Sequence, residues 1–113
     1  MDCIFCKIAN DEIPAKKVYE DERIVSFYDA NPIAPVHVLI IPKEHIVCAD
    51  EINDSNKSIV GDIFEVIAKV AKKLDLKEGY RIINNCKENG GQTVNHLHFH
   101  LVGGKKLGWP GVD

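Results

Sequence analysis

The sequence predicts an α+β fold: an antiparallel sheet of about five short strands, covered on one face by one long helix and accompanied by one short helix. Three observations predict it. Apolar residues recur at a helical period over residues 54–74, β-forming residues cluster in short runs between turn residues, and His96, His98 and His100 alternate with Leu97, Phe99 and Leu101. In an extended strand that last alternation puts three histidines on one side and three apolar side chains on the other. Random placement at this composition gives such a histidine triplet in about one chain in a hundred.

The elements follow in chain order. Residues 4–9 form a short helix that Ile13-Pro14-Ala15 closes off, and residues 16–20 make a first edge strand before a turn at Asp21-Glu22. Residues 24–28 and 36–41 are rich in β-formers, and Asn31-Pro32-Ile33-Ala34-Pro35 connects them as an antiparallel pair with His37 on the second strand. Over residues 54–74 the stripe Ile59, Ile63, Ile67, Val70, Leu74, flanked by Phe64 and Val66, marks the long helix. Lys72 and Lys73 sit at its C-terminal end, where the helix dipole favours cations. Residues 80–84 form a strand, 87–91 a glycine-containing loop, and 96–102 the histidine strand, which together make a wide hairpin. The loop residues Asn89-Gly90-Gly91-Gln92-Thr93 bring backbone N–H, amide and hydroxyl donors just ahead of the histidines, which suits an oxyanion.

With 113 residues, 45% of them hydrophobic, residues 1–113 suffice for a single domain with one core. A net charge of −3 supplies no basic field for a nucleic-acid backbone, so no dedicated nucleic-acid binding is expected. No apolar run approaches the roughly 18 residues of a membrane helix, and Met1-Asp2-Cys3 does not open a secretory leader, so a cytoplasmic protein without membrane association is expected.

Of the four cysteines, Cys3 and Cys6 stand in a Cys-x-x-Cys pair. That spacing serves half of a tetrahedral zinc site, a redox dithiol, or two small apolar residues. The redox reading is disfavoured because nothing precedes Cys3 to form the strand that such motifs follow. Cys48 and Cys86 read as small buried hydrophobes.

Imidazole titrates near neutrality, so one histidine can attack as a neutral nucleophile while neighbours stabilise negative charge. Attack on a phosphate uses that combination, with loop donors on the phosphate oxygens. The alternative is a three-histidine metal site, since alternate strand positions lie about 6.5–7 Å apart and a metal can bridge them. The bland alternative is a solvated, histidine-rich edge strand.

These residues resemble a known family. His96-Leu97-His98-Phe99-His100-Leu101-Val102, preceded by Gly91-Gln92-Thr93-Val94, is similar to the signature of the histidine triad (HIT) superfamily. Ile13-Pro14-Ala15, Phe27-Tyr28-Asp29, the stretch from Pro35 to His45, and Trp109-Pro110-Gly111 resemble its Hint branch, so the likeness spans nearly the whole chain. The resemblance implies a HIT-like fold, a homodimer, and hydrolysis of purine nucleoside 5′-phosphoramidates through a nucleotidyl-histidine intermediate. By the same resemblance His98 is the nucleophile, His100 and His37 hold the phosphate side, and the His96 carbonyl orients the His98 ring. Asp29 takes the ribose hydroxyls, Phe5, Ile8 and Phe27 wall the base pocket, and Asn85, Gln92 and Thr93 contact phosphate or leaving group. Phe27 and Ile8 have an alternative as core residues, and Asp29 as the cap of the following turn. Thr93 departs from the serine common there, keeping the hydroxyl and adding a methyl. The zinc-containing bacterial members imply a structural zinc on Cys3, Cys6, His45 and His96. Two other functions stay in view: a dinucleoside polyphosphate hydrolase of a neighbouring branch, and a nucleotide-binding interaction protein with little turnover. The short tail resembles the Hint branch, and His100 argues for hydrolysis because sugar-transferring relatives carry glutamine there.

Overall fold

Strand alternation sets the layers. The computed structural model describes residues 3–109. In the strand β3 (Val36–Pro42), Val38 and Ile40 face one apolar cluster while Leu39 and Ile41 face another, so residues 38–41 are all apolar because both sides are covered there. Around it lie β1 (Lys17–Glu20), β2 (Ile24–Tyr28), β4 (Tyr80–Ile83) and β5 (Phe99–Gly103), all antiparallel to their neighbours in the order β1-β2-β3-β5-β4. The five-stranded antiparallel sheet with one main helix is the predicted architecture.

The long helix α2 (Ser58–Lys73) lays Ile59, Ile63, Val66, Ile67, Val70 and Ala71 onto the first face, against Val38, Ile40, Leu97, Phe99 and Leu101. Each of these larger apolar side chains contributes roughly 1.5–3 kcal/mol on full burial. The short helix α1 (Ile4–Ala9) covers the second face, packing Phe5, Ile8 and Ala9 on Val25, Phe27, Leu39 and Ile41. Both helices stop in the same way. Asp11 and Asp75 adopt positive φ, and the following N–H groups reach back to Lys7 and Ala71 carbonyls at 2.8 and 2.9 Å.

Two boundaries differ from the sequence reading by more than one residue. The helix starts at Ser58 instead of residue 54 because Asn53 and Asn56 tie the preceding turn to their own side chains: Asn53 N–H donates to Asn56 Oδ1 at 2.7 Å, and Asn53 Oδ1 accepts from Ser55 at 2.9 Å. The histidine strand starts at Phe99 instead of His96. His96 N–H turns to the Val94 carbonyl and Leu97 N–H to the Ile46 carbonyl, while the His96 carbonyl is occupied by an imidazole. The connection after β4 therefore runs over residues 84–98, longer than the expected 85–95, and includes a 3-10 turn at Glu88–Gly90.

Among the described residues, one buried side-chain polar atom has no partner, Ser26 Oγ. Ser26 lies opposite Ile40 on the helix-facing side. An unpaired buried hydroxyl costs about 1–3 kcal/mol. Ser26→Ala is therefore expected to stabilise the fold by about 1 kcal/mol, read as a raised urea midpoint at unchanged slope; a lowered midpoint would show that the hydroxyl has a partner in solution.

Candidate active site and metal cluster

The histidines occupy the sheet face opposite α2. His37 on β3 and His100 on β5 are diagonal neighbours on this face, since Leu39 is the direct partner of His100. Their rings meet at 2.9 Å, His37 Nε2 to His100 Nδ1. The Ile33 N–H donates to His37 Nδ1 at 3.2 Å, so His37 carries its own hydrogen on Nε2 and donates it to His100. His100 Nδ1 is thus an acceptor, and its remaining N–H is on Nε2. The Asp29 carboxylate lies 3.4 Å from His37 Nε2 through one oxygen and accepts from the Asn31 N–H at 2.8 Å through the other.

His98 is held differently. Its Nδ1–H donates to the His96 carbonyl at 2.7 Å, which leaves the Nε2 lone pair unprotonated in the neutral ring. The His98 carbonyl in turn accepts from Asn84 Nδ2 at 2.9 Å, so side chains replace the ladder bonds that end at Phe99. The ring packs edge-on against Phe5 and His100, each at 5.1 Å between centroids.

Burial lowers the His100 imidazole to about 4, with the nearby His98 and His37 adding to it, and burial lowers His37 against the opposing pull of Asp29. Both titrate near ~6.5 in the unfolded chain. Between the folded and unfolded values the unfolded chain binds more protons, so this stability is complete above about pH 6.5 and is lost as pH falls toward the folded values. His100 is only half-buried, so the expected loss is discounted to on the order of 1–2 kcal/mol. Urea midpoints at neutral and mildly acid pH, compared with those of His100→Asn, check this; identical acid sensitivity of the variant would overturn it.

The first histidine of the run turns away from the other two. His96 is fully buried, donates Nε2–H to the Pro42 carbonyl at 2.8 Å, and directs Nδ1 to Cys3 Sγ at 3.3 Å and Cys6 Sγ at 3.5 Å. His45 Nδ1 lies 3.2 Å from Cys6 Sγ. Four donor atoms, from Cys3, Cys6, His45 and His96, lie within 4.8 Å of one another and could hold a metal ion. A tetrahedral zinc with ordinary bond lengths puts sulfur and nitrogen ligands roughly 3.5 Å apart, so the donor set fits. Cys3 caps α1 and its sulfur accepts the Cys6 N–H at 3.3 Å, a bond suited to a thiolate. Burial, with the adjacent Cys3, pushes the Cys6 thiol up to about 11, so a metal ion would have to displace that proton. A metal site made of His96, His98 and His100 together is not formed, because His96 and His98 direct Nδ1 to different partners.

The remaining candidate residues fall into two groups. Phe5, Ile8 and Phe27 are buried in the second apolar cluster, with Phe5 and Phe27 edge to face at 5.5 Å. Asn85 and Gln92 are half-buried and Thr93 exposed on the 84–98 loop. Gln92 is committed to that loop: its Oε1 accepts from Lys87 N–H at 2.8 Å, and its Nε2 donates to the Val47 and Val94 carbonyls at 2.7 and 3.0 Å. Trp109 is 93% exposed, and Pro110 and Gly111 lie outside the described residues. A cleft of about 650 Å³ between residues 75–81 and 104–107 contains none of the histidines.

A sequence model described as HIT domain matches residues 10–107. The chain belongs to the HIT domain family. It is 49% identical over 105 residues to an HIT-like protein of Buchnera aphidicola subsp. Baizongia pistaciae, a match spanning 92% of this chain and 94% of that protein. A histidine triad protein from Clostridium difficile is similar at a TM-score of 0.93 and 52% identity, covering 100% of this chain and 97% of the other. An HIT family hydrolase from Clostridium thermocellum is similar at a TM-score of 0.94 and 53% identity, covering 96% of each. Cys3 and Cys6 precede the matched HIT domain span, so half of the cysteine and histidine cluster lies outside it.

Within this HIT domain the sequence reading missed three supports: the Asn84 amide, the Ile33 N–H and the Pro42 carbonyl. Asn84 carries a weak signal, as a polar residue at the end of an apolar strand. The two backbone groups carry none, since every residue except proline has an N–H and every residue a carbonyl.

Proposed function

We propose that this HIT domain hydrolyses purine nucleoside 5′-phosphoramidates through a nucleotidyl-histidine intermediate on His98. One observation carries the reading: the His98 Nδ1–H is anchored on the His96 carbonyl at 2.7 Å, so the ring presents Nε2 as a nucleophile beside the hydrogen-bonded His37 and His100. The Clostridium thermocellum relative's description as a hydrolase and the HIT family membership support it.

In the first step His98 Nε2 forms a bond to phosphorus while the bond from phosphorus to the amine breaks, and the amine leaves with a proton taken from water, which the second step returns. The His96 carbonyl stabilises the cationic ring through Nδ1–H. His100 Nε2–H, its tautomer set through His37, donates to the phosphate side. In the second step water attacks phosphorus, the bond to Nε2 breaks, and AMP and neutral His98 are released. Asp29 receives the ribose hydroxyls, Phe5, Ile8 and Phe27 border the base, and Asn85, Gln92 and Thr93 line the phosphate and leaving-group side.

A structural zinc on Cys3, Cys6, His45 and His96 belongs to the same reading, supported by donor separations that suit a tetrahedral ion. So does a homodimer, which the resemblance puts on the long helix and a central strand; its support is α2, where Phe64 exposes a large apolar side chain, and β4, an edge strand of this sheet instead of a central one, which exposes Tyr80. No helix among the described residues is long and apolar enough to cross a membrane, and free thiols accord with a cytoplasmic setting.

Incubating the protein with adenosine 5′-phosphoramidate, and separately with a diadenosine polyphosphate, and following AMP tests the substrate class. AMP release from the phosphoramidate with the higher kcat/KM is expected. Faster cleavage of the polyphosphate, or tight nucleotide binding without turnover of either, would overturn the phosphoramidate reading.

A further inference from the structure

The histidine run enters the sheet only at Phe99, so residues 94–98 must be held by something other than ladder bonds. Much of that hold comes from one side chain. Gln92 Nε2 has two hydrogens to donate, and two carbonyls take them, Val47 at 2.7 Å and Val94 at 3.0 Å. Gln92 Oε1 accepts the Lys87 N–H at 2.8 Å, and the Gln92 N–H returns to the Lys87 carbonyl at 3.0 Å. Three segments therefore meet at this amide: the first part of the 84–98 loop, its last part, and the chain after β3.

Each of these contacts bears on His98. The Val94 carbonyl also accepts the His96 N–H at 2.8 Å, so the group that Gln92 holds is the one from which the His96 peptide is suspended. The Leu97 N–H reaches the Ile46 carbonyl at 2.6 Å, so Ile46 and Val47 receive the loop at two adjacent carbonyls. Between these two fastenings lies the His96 carbonyl, the anchor of the His98 Nδ1–H at 2.7 Å. At the loop's other end Lys87 has φ 62, which residues with side chains rarely adopt. Its paired bonds with Gln92 and its 2.6 Å ion pair with Asp50 hold it there.

The same bonds limit what Gln92 offers a substrate. With both amide hydrogens on carbonyls, the side chain has only lone-pair capacity left, and a phosphate oxygen, itself an acceptor, cannot use it. Gln92 thus borders the phosphate side without donating to it.

We propose that Gln92 is a positioning residue: it ties residues 94–97 to the chain after β3, thereby sets the His96 carbonyl that orients the His98 ring, and makes no bond to substrate. This role rests on the hydrolysis proposed for His98, so its test pairs kinetics with two readouts that need no turnover. Gln92→Met keeps the side-chain length and removes all three side-chain bonds. Gln92→Glu keeps the acceptor for Lys87 and removes both donations.

In the full chain supplied with zinc, and for variants whose circular dichroism matches the parent, kcat for AMP release from adenosine 5′-phosphoramidate is expected to fall about 10- to 100-fold, with KM within about threefold. Without substrate, amide exchange at His96 and Leu97 should quicken by on the order of tenfold. Long-range proton–nitrogen NMR spectra should show His98 as a single Nδ1–H tautomer in the parent and as a mixture in both variants. A loss of AMP affinity or a rise in KM larger than the loss of kcat would make Gln92 a substrate contact and overturn the proposal. A lowered melting temperature with kcat, exchange and tautomer unchanged would also overturn it, because a purely structural role gives that pattern. If the parent releases no AMP, the hydrolysis reading fails by itself, while exchange and tautomer still decide whether Gln92 sets His98.

Discussion

His98→Asn is expected to lower AMP release from adenosine 5′-phosphoramidate by on the order of 10⁴- to 10⁶-fold, with circular dichroism and melting temperature close to those of the parent. Asparagine approximates the shape of the imidazole near Cγ and retains an N–H that can reach the His96 carbonyl, so the 2.7 Å anchor has a replacement. What it lacks is the Nε2 lone pair. Loss of the nucleophile should remove kcat while leaving nucleotide affinity within a few-fold, because pocket and phosphate contacts remain. Rapid denaturation during turnover of the wild type should yield a nucleotide covalently attached to His98, and none in the variant. A variant that keeps more than a tenth of the parent activity, or an adduct on His100, would reassign the nucleophile.

Removing the proposed metal has the second large effect. The cluster joins α1, through Cys3 and Cys6, to the chain after β3 at His45 and to the segment before β5 at His96. Phe5 and Ile8 bury themselves only if α1 is docked. Chelation is therefore expected to cost about 3–5 kcal/mol, or a fall in melting temperature of about 12–20 °C, with amide exchange rising first in α1 and around residues 94–98. Cys6→Ser should reproduce the loss, and added zinc should rescue the chelated parent but not the variant. Because the His96 ring and the His96 carbonyl belong to one residue, activity should fall with loosening of that residue. It should persist in part wherever the metal-free protein is still folded. An unchanged melting temperature after verified metal removal would overturn the structural role; activity that tracked added metal at constant folding would assign the ion to chemistry.

The pattern of apolar residues made much of the architecture readable. The stripe at Ile59, Ile63, Ile67 and Val70 faces the sheet as its period requires, and Leu97, Phe99 and Leu101 face the same core. Boundaries were less readable. Asn53 and Asn56 hydrogen-bond to their own turn and delay the helix, and this competition between side chain and backbone is invisible to a hydrophobic period. The alternation of histidines correctly sets their common face, yet it says nothing of where each nitrogen points. His96 turns into the cysteine cluster, and His98 turns to a carbonyl two residues behind it.

By itself the sequence determined the α+β architecture, the face that carries the histidines and the family, because periodic burial and contiguous motifs are local properties of the chain. Only the tertiary structure decided which groups set each imidazole: Ile33 N–H for His37, Pro42 carbonyl for His96, and Asn84 behind His98. The reason is physical. Backbone donors and acceptors are nearly alike at every position, so their partners are chosen by packing of segments distant in sequence, and a local pattern carries no record of that choice.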